Sequence, residues 1–175
     1  MAVTIKTYSG IYFDIENPTV DMINIEDIAC ALSKICRFTG QVGKFYSVCE
    51  HSYIVSDLVD KKYELHGLLH DASEAYLGDL STPLKSLLPA YKKLEKRTME
   101  VIGEKFGLDF YDTEAYNEVK RVDSLLRNIE GFHLQNWEVD QSGWPFWLKD
   151  KLPLIDHEEA RRCFLVKYKQ LAGVK

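Results

Sequence analysis

Cysteine is scarce in this chain. Of 175 residues only Cys30, Cys36, Cys49 and Cys163 carry thiols, and no two form a C-x-x-C pair. That leaves no disulfide framework to read, and the four are expected to be reduced, mostly core residues of a cytoplasmic protein. Long apolar runs are missing too. None approaches the ~20 residues needed to span a bilayer, so no membrane partner is expected. The N-terminus shows no basic stretch followed by an apolar segment, so no signal peptide is expected. No internal repeat, low-complexity tract or Gly/Ser linker interrupts the chain, which points to one domain over residues 1–175. Nor is there an excess of positive charge. The 22 Lys and Arg face 27 Asp and Glu, for a net charge of -5. Nonspecific nucleic-acid binding needs many cationic phosphate contacts, so a nucleic-acid partner is not expected. A small phosphorylated ligand needs only a few converging cations. What is present is an ordinary globular balance, 46% hydrophobic and 28% charged, in a chain long enough to build a core.

The first 20 residues read as an extended or hairpin segment, with Ile5 and Phe13 on either side of a Ser9-Gly10 turn. Everything after them reads as helix. Asn24 can cap a helix running to about Ile35, with Ile25, Ile28, Ala29, Leu32 and Ile35 as its apolar stripe. Ser47 and Glu50 form an S-x-x-E capping box for a second helix. A third covers roughly Glu64 to Tyr76 and stops near Gly78. Pro89 suits the first turn of a fourth, which ends at Gly107. Thr113 opens a long fifth helix with Val119, Val122, Leu125, Leu126 and Ile129 on its apolar side. Asp156 and Glu159 have capping spacing for a last helix. Trp144 to Trp147 is an aromatic loop, free either to fold over the core or to line an oligomer contact. The expected fold is all-α, with about six main helices and a short N-terminal hairpin.

Four polar residues sit where apolar ones would be expected. His70 and Asp71 interrupt the apolar run Leu68-Leu69-His70-Asp71-Ala72, and burying either without a partner costs several kcal/mol. His51 shares a helical face with Val55 and Leu58. Asp123 shares one with Tyr116, Val119 and Leu126. All four therefore point inward. Each has an ordinary explanation, as a hydrogen-bonded core histidine or a salt-bridged aspartate. Together they offer two imidazoles and two carboxylates, a mixed nitrogen and oxygen set that suits Mn, Co, Fe, Zn or Ni. Adjacent residues on a helix diverge by about 100°, so one centre between His70 and Asp71 must lie at the boundary of their faces.

The order His…His-Asp…Asp on successive helices resembles the HD-domain phosphohydrolases. The flanks Ile35-Cys36-Arg37-Phe38, Tyr46 to Ser52, Leu69 to Ala75 and Gly78 to Lys85 resemble the 5'-deoxynucleotidase branch of that family, and within it the short phage dATP triphosphohydrolases known as DatZ. The resemblance spans roughly residues 5 to 130. It implies an HD-domain helical fold and a divalent metal held by His51, His70, Asp71 and Asp123. It further implies in-line attack of a metal-activated water on the α-phosphorus, with the deoxynucleoside leaving. Glu74, one turn after Asp71, falls at the family's general acid/base position; by pattern alone it would be a solvated helix residue. Asp79 matches a family carboxylate near the nucleophile and deoxyribose; by pattern alone it would be an N-cap. Arg37 matches the family's phosphate-gripping arginine. Phe38 takes the place of the aromatic that packs on base or sugar, against the alternative of core packing. Lys44, Lys85 and Lys120 are further candidates for the phosphate chain, each otherwise a solvated surface charge.

Two enzymatic readings follow from the resemblance. One is hydrolysis of dATP to deoxyadenosine and triphosphate, which in phages that replace adenine with 2-aminoadenine would remove dATP from the pool. A Mg ion would then accompany the triphosphate. The other is a 5'-deoxynucleotidase that converts dNMP to deoxynucleoside and phosphate. The family further implies a dimer or hexamer, and host cytoplasm for a phage-encoded member. A binding module that had lost its metal would show a broken ligand set, and this one is intact. The flanking motifs of cyclic-dinucleotide or ppGpp hydrolases are not found. His66 stands four residues before His70, but the Glu of H-E-x-x-H is missing, so it reads as structural. His133 and His157 have no supporting context.

Overall fold

The computed structural model describes residues 3–173. Its N-terminal ribbon pairs β1 (Thr4–Lys6) with β2 (Tyr12–Asp14) antiparallel, Ile5 opposite Phe13. Gly10 supplies the positive φ of +90° that the turn needs. Ser9 then fastens the ribbon to the first helix, its backbone N–H and hydroxyl donating to the Asp27 carboxylate at 2.6 and 2.8 Å. Phe13 is fully buried and stacks on Tyr76, ring centroids 4.1 Å apart.

Helix α1 (Ile25–Leu32) starts where expected, the Asn24 side chain accepting from Glu26 N–H. It stops at Leu32 rather than Ile35. The reason is tertiary: Cys36 leaves the helix to form a bridge with Ser47, and Ile35 O and Arg37 N bond Val48 N and Tyr46 O. Helix α2 (Val48–Leu58) is capped by Ser47, whose hydroxyl accepts from Glu50 N–H at 3.1 Å. The reciprocal half of the expected capping box is not made. The Glu50 carboxylate instead accepts from Ile155 N–H.

The expected third helix is two. Helix α3 (Glu64–Leu69) and helix α4 (Glu74–Leu77) are separated by His70 to Ser73. There the backbone closes i to i+3 bonds, from Ala72 N to Leu69 O and from Glu74 N to Asp71 O. In such 3₁₀-type turns, residues three apart eclipse one another. Helix α5 (Thr82–Ser86) was not expected; Pro83 in its first turn gives up an N–H that would be unpaired anyway. Helix α6 (Pro89–Phe106) ends at left-handed Gly107, as the sequence indicates. Helix α7 (Thr113–Gln135) begins after an Asp112 cap and ends at left-handed Asn136. The aromatic loop contains a short helix α8 (Phe146–Lys149), and helix α9 (His157–Ala172) follows its Asp156 cap. Trp144 is buried against Phe132, whereas Phe146 projects into solvent.

Buried residues form two clusters that meet on α2. One joins the ribbon, α1, α3, α6 and α9 through Phe13, Ile28, Leu68, Leu69, Ile102 and Phe164. The other joins α2, α7 and the 144–152 segment through Val55, Val122, Leu126, Ile129 and Leu148. Helix α2 is thus covered on nearly every side, which is why Glu50, His51, Ser52 and Ser56 are buried along with its apolar residues. The architecture is an all-α, HD-like fold with a short two-stranded ribbon.

Candidate metal centre

A glycine sets the distance between the two histidine-bearing segments. A Cβ added at Gly67 would stand 3.0 Å from Ser56 Cα. Helices α2 and α3 therefore meet backbone to backbone, and the rings of His51 and His70 lie 5.2 Å apart. Each ring has one nitrogen tied down. His51 Nδ1 donates to Glu130 Oε1 at 2.5 Å, and His70 Nδ1 donates to Gly67 O at 2.7 Å. That fixes both tautomers and leaves both Nε2 lone pairs facing the same space.

Into that space come two carboxylates. Asp71 Oδ2 lies 3.2 Å from His70 Nε2 and 3.8 Å from His51 Nε2. Asp123, carried across by α7, places Oδ1 3.1 Å from His51 Nε2. Donor atoms of His51, His70 and Asp71 all fall within 4.8 Å of one another. Yet neither Nε2, both buried, has a hydrogen-bond partner. A cation placed between these nitrogens and carboxylates would satisfy both kinds of donor at once. This His-His-Asp group could hold a divalent metal, with Asp123 beside it as a further oxygen donor.

The electrostatics follow from packing. Burial raises both carboxyls, but His70 and His51 outweigh it. Asp71 is held well below the usual carboxylate range and Asp123 falls to about 2. Burial and Arg37 work against a charge on His51, while Glu130 and Asp123 overcome them and raise it to about 9. A metal must displace that proton in order to bind. Arg37, almost buried, gives Nη2 to Glu130 at 2.9 Å and holds Nη1 3.7 Å from Asp71 Oδ2. Burial opposes its charge, but Glu130 and Asp71 secure it.

Glu74 opens α4, three residues after Asp71, so the eclipsed turn brings it onto the same side. It is 4% exposed. Burial, then Asp71 and Asp79, push its carboxyl well above the ordinary range. Lys85 Nζ lies 3.3 Å from Glu74 Oε1 and 2.6 Å from Glu95 Oε1, and Glu74 Oε2 is buried without a partner. Asp79 is half-buried beside this group and is also raised, chiefly by burial. It caps no helix, since Ser81 is the residue before α5.

The remaining candidates are spread out. Phe38 adjoins Arg37, its ring 5.7 Å from the guanidinium. Lys120 is exposed on α7, its Nζ 3.2 Å from Tyr116 Oη. Together with Lys92 and Lys96 of α6, it lines a cavity of about 370 Å³ that also reaches His70 and Asp123. Lys44 sits exposed in the loop before Tyr46, with no described contact to this group. His66 packs edge-on against Tyr63 and Phe110, outside the His-His-Asp group. His133 bonds Leu148 O.

Glu130 is the residue that sequence reasoning passed over. It is fully buried and joins Arg37 to His51. A signal existed: Glu130 follows Asp123 by seven residues, two helical turns, and so falls on the apolar side of α7.

No family model matches the chain. Among curated proteins it is 48% identical over 104 residues to the uncharacterized protein YfdR of Escherichia coli, covering 59% of this chain and 58% of that protein. It is 39% identical over 136 residues to an uncharacterized protein of Rhodobacter capsulatus, covering 71% of this chain and 69% of that one. It is 32% identical over 101 residues to a 5'-deoxynucleotidase of Photobacterium profundum, covering 47% and 52%. The chain thus spans a little over half the length of the Escherichia and Photobacterium proteins. With 39% identity across more than two thirds of the Rhodobacter protein, and with the HD-like helical fold described above, the chain belongs to the same family as that protein.

Proposed function

We propose that this chain is a metal-dependent deoxynucleotide phosphohydrolase in which His51, His70, Asp71 and Asp123 hold the metal. The observation that carries the reading is the pair of buried, unpartnered Nε2 atoms facing Asp71 and Asp123, with Glu74, its carboxyl raised by burial, alongside. The 5'-deoxynucleotidase of Photobacterium profundum supports the reaction class.

A bound Co, Mn, Zn, Fe or Ni ion would lower the pKa of water and offset charge on a phosphoryl oxygen. The chain's own residues do the rest. Glu130 and the Gly67 carbonyl hold the imidazoles in the tautomer that frees Nε2. Arg37, pinned by Glu130, presents Nη1 to a phosphoryl oxygen near Asp71. Glu74, its carboxyl raised by burial and by Asp71 and Asp79, gives a proton to the 5'-oxygen as the P–O bond breaks and water's oxygen joins phosphorus, and the proton that water sheds returns to Glu74. Asp79, half-buried beside Glu74, would orient water or the sugar, and Phe38 offers a ring to base or sugar. Lys85 pairs most closely with Glu95, at 2.6 Å, and its Nζ also lies 3.3 Å from Glu74, so its first effect is on Glu74.

The finer reading is dATP cleaved to deoxyadenosine and triphosphate, with Mg accompanying the phosphates. The cavity supports it: Lys92, Lys96 and Lys120 stand around space continuous with His70 and Asp123, where a polyphosphate would find opposite charge. The second reading, cleavage of dNMP to deoxynucleoside and phosphate, is favoured by the Photobacterium relative. Incubating the protein with dATP or dAMP and Mn or Co, and separating triphosphate from phosphate, decides between them. Phosphate from dAMP with no triphosphate from dATP would reject the first. Asp71→Ala should lose both activity and metal; full activity in that variant would refute the metal assignment.

A further inference from the structure

The backbone around Phe38 is strained. Phe38 (φ 54°, ψ 33°) and Thr39 (φ 52°, ψ 30°) are consecutive non-glycine residues in the left-handed region, ahead of Gly40 at φ 75°. L-residues rarely adopt that conformation, and a pair of them persists only when the surroundings enforce it.

The enforcement comes from the far end of α7. Glu130 grips Arg37 at 2.9 Å. Gln135 Nε2 donates to Gln41 O at 2.7 Å. Left-handed Asn136 then turns the chain back, and Trp137 N–H donates to Gly131 O at 3.1 Å. The Trp137 ring meets Phe38 edge to face, centroids 5.7 Å apart at 87°. It can lie there because residue 131 has no side chain: a Cβ would stand 2.1 Å from a ring carbon of Trp137. The strained turn is thus held at its start, its middle and its end.

We infer that Trp137, seated on Gly131, is a positioning residue that locks the Arg37–Phe38 turn in its strained conformation and so presents both side chains to the substrate. Among the described hydrogen bonds, ion pairs and ring contacts none joins Trp137 to the His-His-Asp group; it acts through Phe38. That Arg37 and Phe38 contact substrate rests on the function proposed above, whereas the clamp itself does not.

Two variants test it. Trp137→Ala removes the ring. Gly131→Ala introduces a residue that helices favour and evicts the ring by collision, so α7 should stay intact. Backbone hydrogen exchange should accelerate about tenfold or more at Arg37 to Gln41 in both, with α2 amides unchanged. With deoxynucleotide substrate, KM should rise about tenfold and kcat should change little, because binding is lost and not chemistry. Metal content should match wild type, and Trp137→Phe, which keeps an aromatic edge, should restore KM. Unchanged exchange at 37–41 in either variant, or faster exchange with KM unmoved, overturns the inference. A wild-type protein that cleaves no deoxynucleotide would remove the function reading, and exchange would then decide the clamp alone.

Discussion

At the scale of single residues, Glu130 determines most. Its two oxygens serve two buried cations or near-cations, Arg37 and His51, and burial of Glu130 itself is complete. Removing one partner of a buried charge set strands the others. Glu130→Ala should therefore cost about 3–5 kcal/mol in stability. Partners that orient metal ligands typically account for 10–100-fold in affinity, so bound metal should weaken by about that factor. Thermal unfolding with metal titration measures both. Loss of stability with metal affinity intact would show that His51 does not depend on Glu130 for its orientation. The aspartates and histidines were legible in sequence because each is a polar residue breaking an apolar pattern. Glu130 breaks one too, but the partners that explain it lie 79 and 93 residues away.

At the scale of elements, the site depends on where helices stop and how closely they approach. The break between α3 and α4 puts Asp71 and Glu74 in eclipsed positions. A continuous helix, as periodicity suggests, would turn them apart by about 60°. Gly67 is the second device. A methyl group there would press on the Ser56 backbone, which cannot rotate away. Gly67→Ala should force α2 and α3 apart at a cost of about 1–3 kcal/mol, the usual penalty of overpacking. Because the His51–His70 spacing moves with the helices, metal affinity should fall with it. Calorimetric unfolding and metal binding check the two effects, and a variant as stable as wild type would show that the interface can yield. Helix starts were legible from Asn24, Ser47 and Asp156 because capping is local chemistry. The helix end at Leu32 was not, because bonding to the distant backbone of Tyr46 and Val48 ended it, and the break after Leu69 was not, because its i to i+3 turn leaves the helical apolar pattern uninterrupted.

At the scale of the whole molecule, α2 runs through the middle and carries Glu50 into a setting poor in compensating charge. Burial pushes its carboxyl up to about 8, against an ordinary 4.5. The folded state therefore holds a proton between these values that the unfolded chain has released. Stability from this group is complete below about pH 4.5 and is lost as pH rises toward 8. Glu50→Gln should flatten that decline, leaving the variant about 1–3 kcal/mol more stable than wild type near pH 8 and close to it near pH 5. Urea midpoints at the two pH values test this; a variant less stable at both would mean that the carboxylate is needed charged, at Ile155 N–H. No helix among the described residues is long and apolar enough to cross a membrane.

The sequence by itself determined that the chain is helical, where its caps and stripes lie, and which inward-facing polar residues needed an explanation. These follow from interactions over one or two helical turns, which leave a periodic trace. Tertiary structure decided which of those residues meet. It brought His51, His70 and Asp71 together, set Asp123 against His51, left Lys44 in an outer loop and engaged Lys85 with Glu74 and Glu95. It also recruited Glu130, Gly67 and Trp137, whose partners lie in other elements. Burial shifts the carboxyls of Glu50 and Glu74, and burial is a property of the packed molecule, because the cost of a charge depends on every neighbour that excludes water from it.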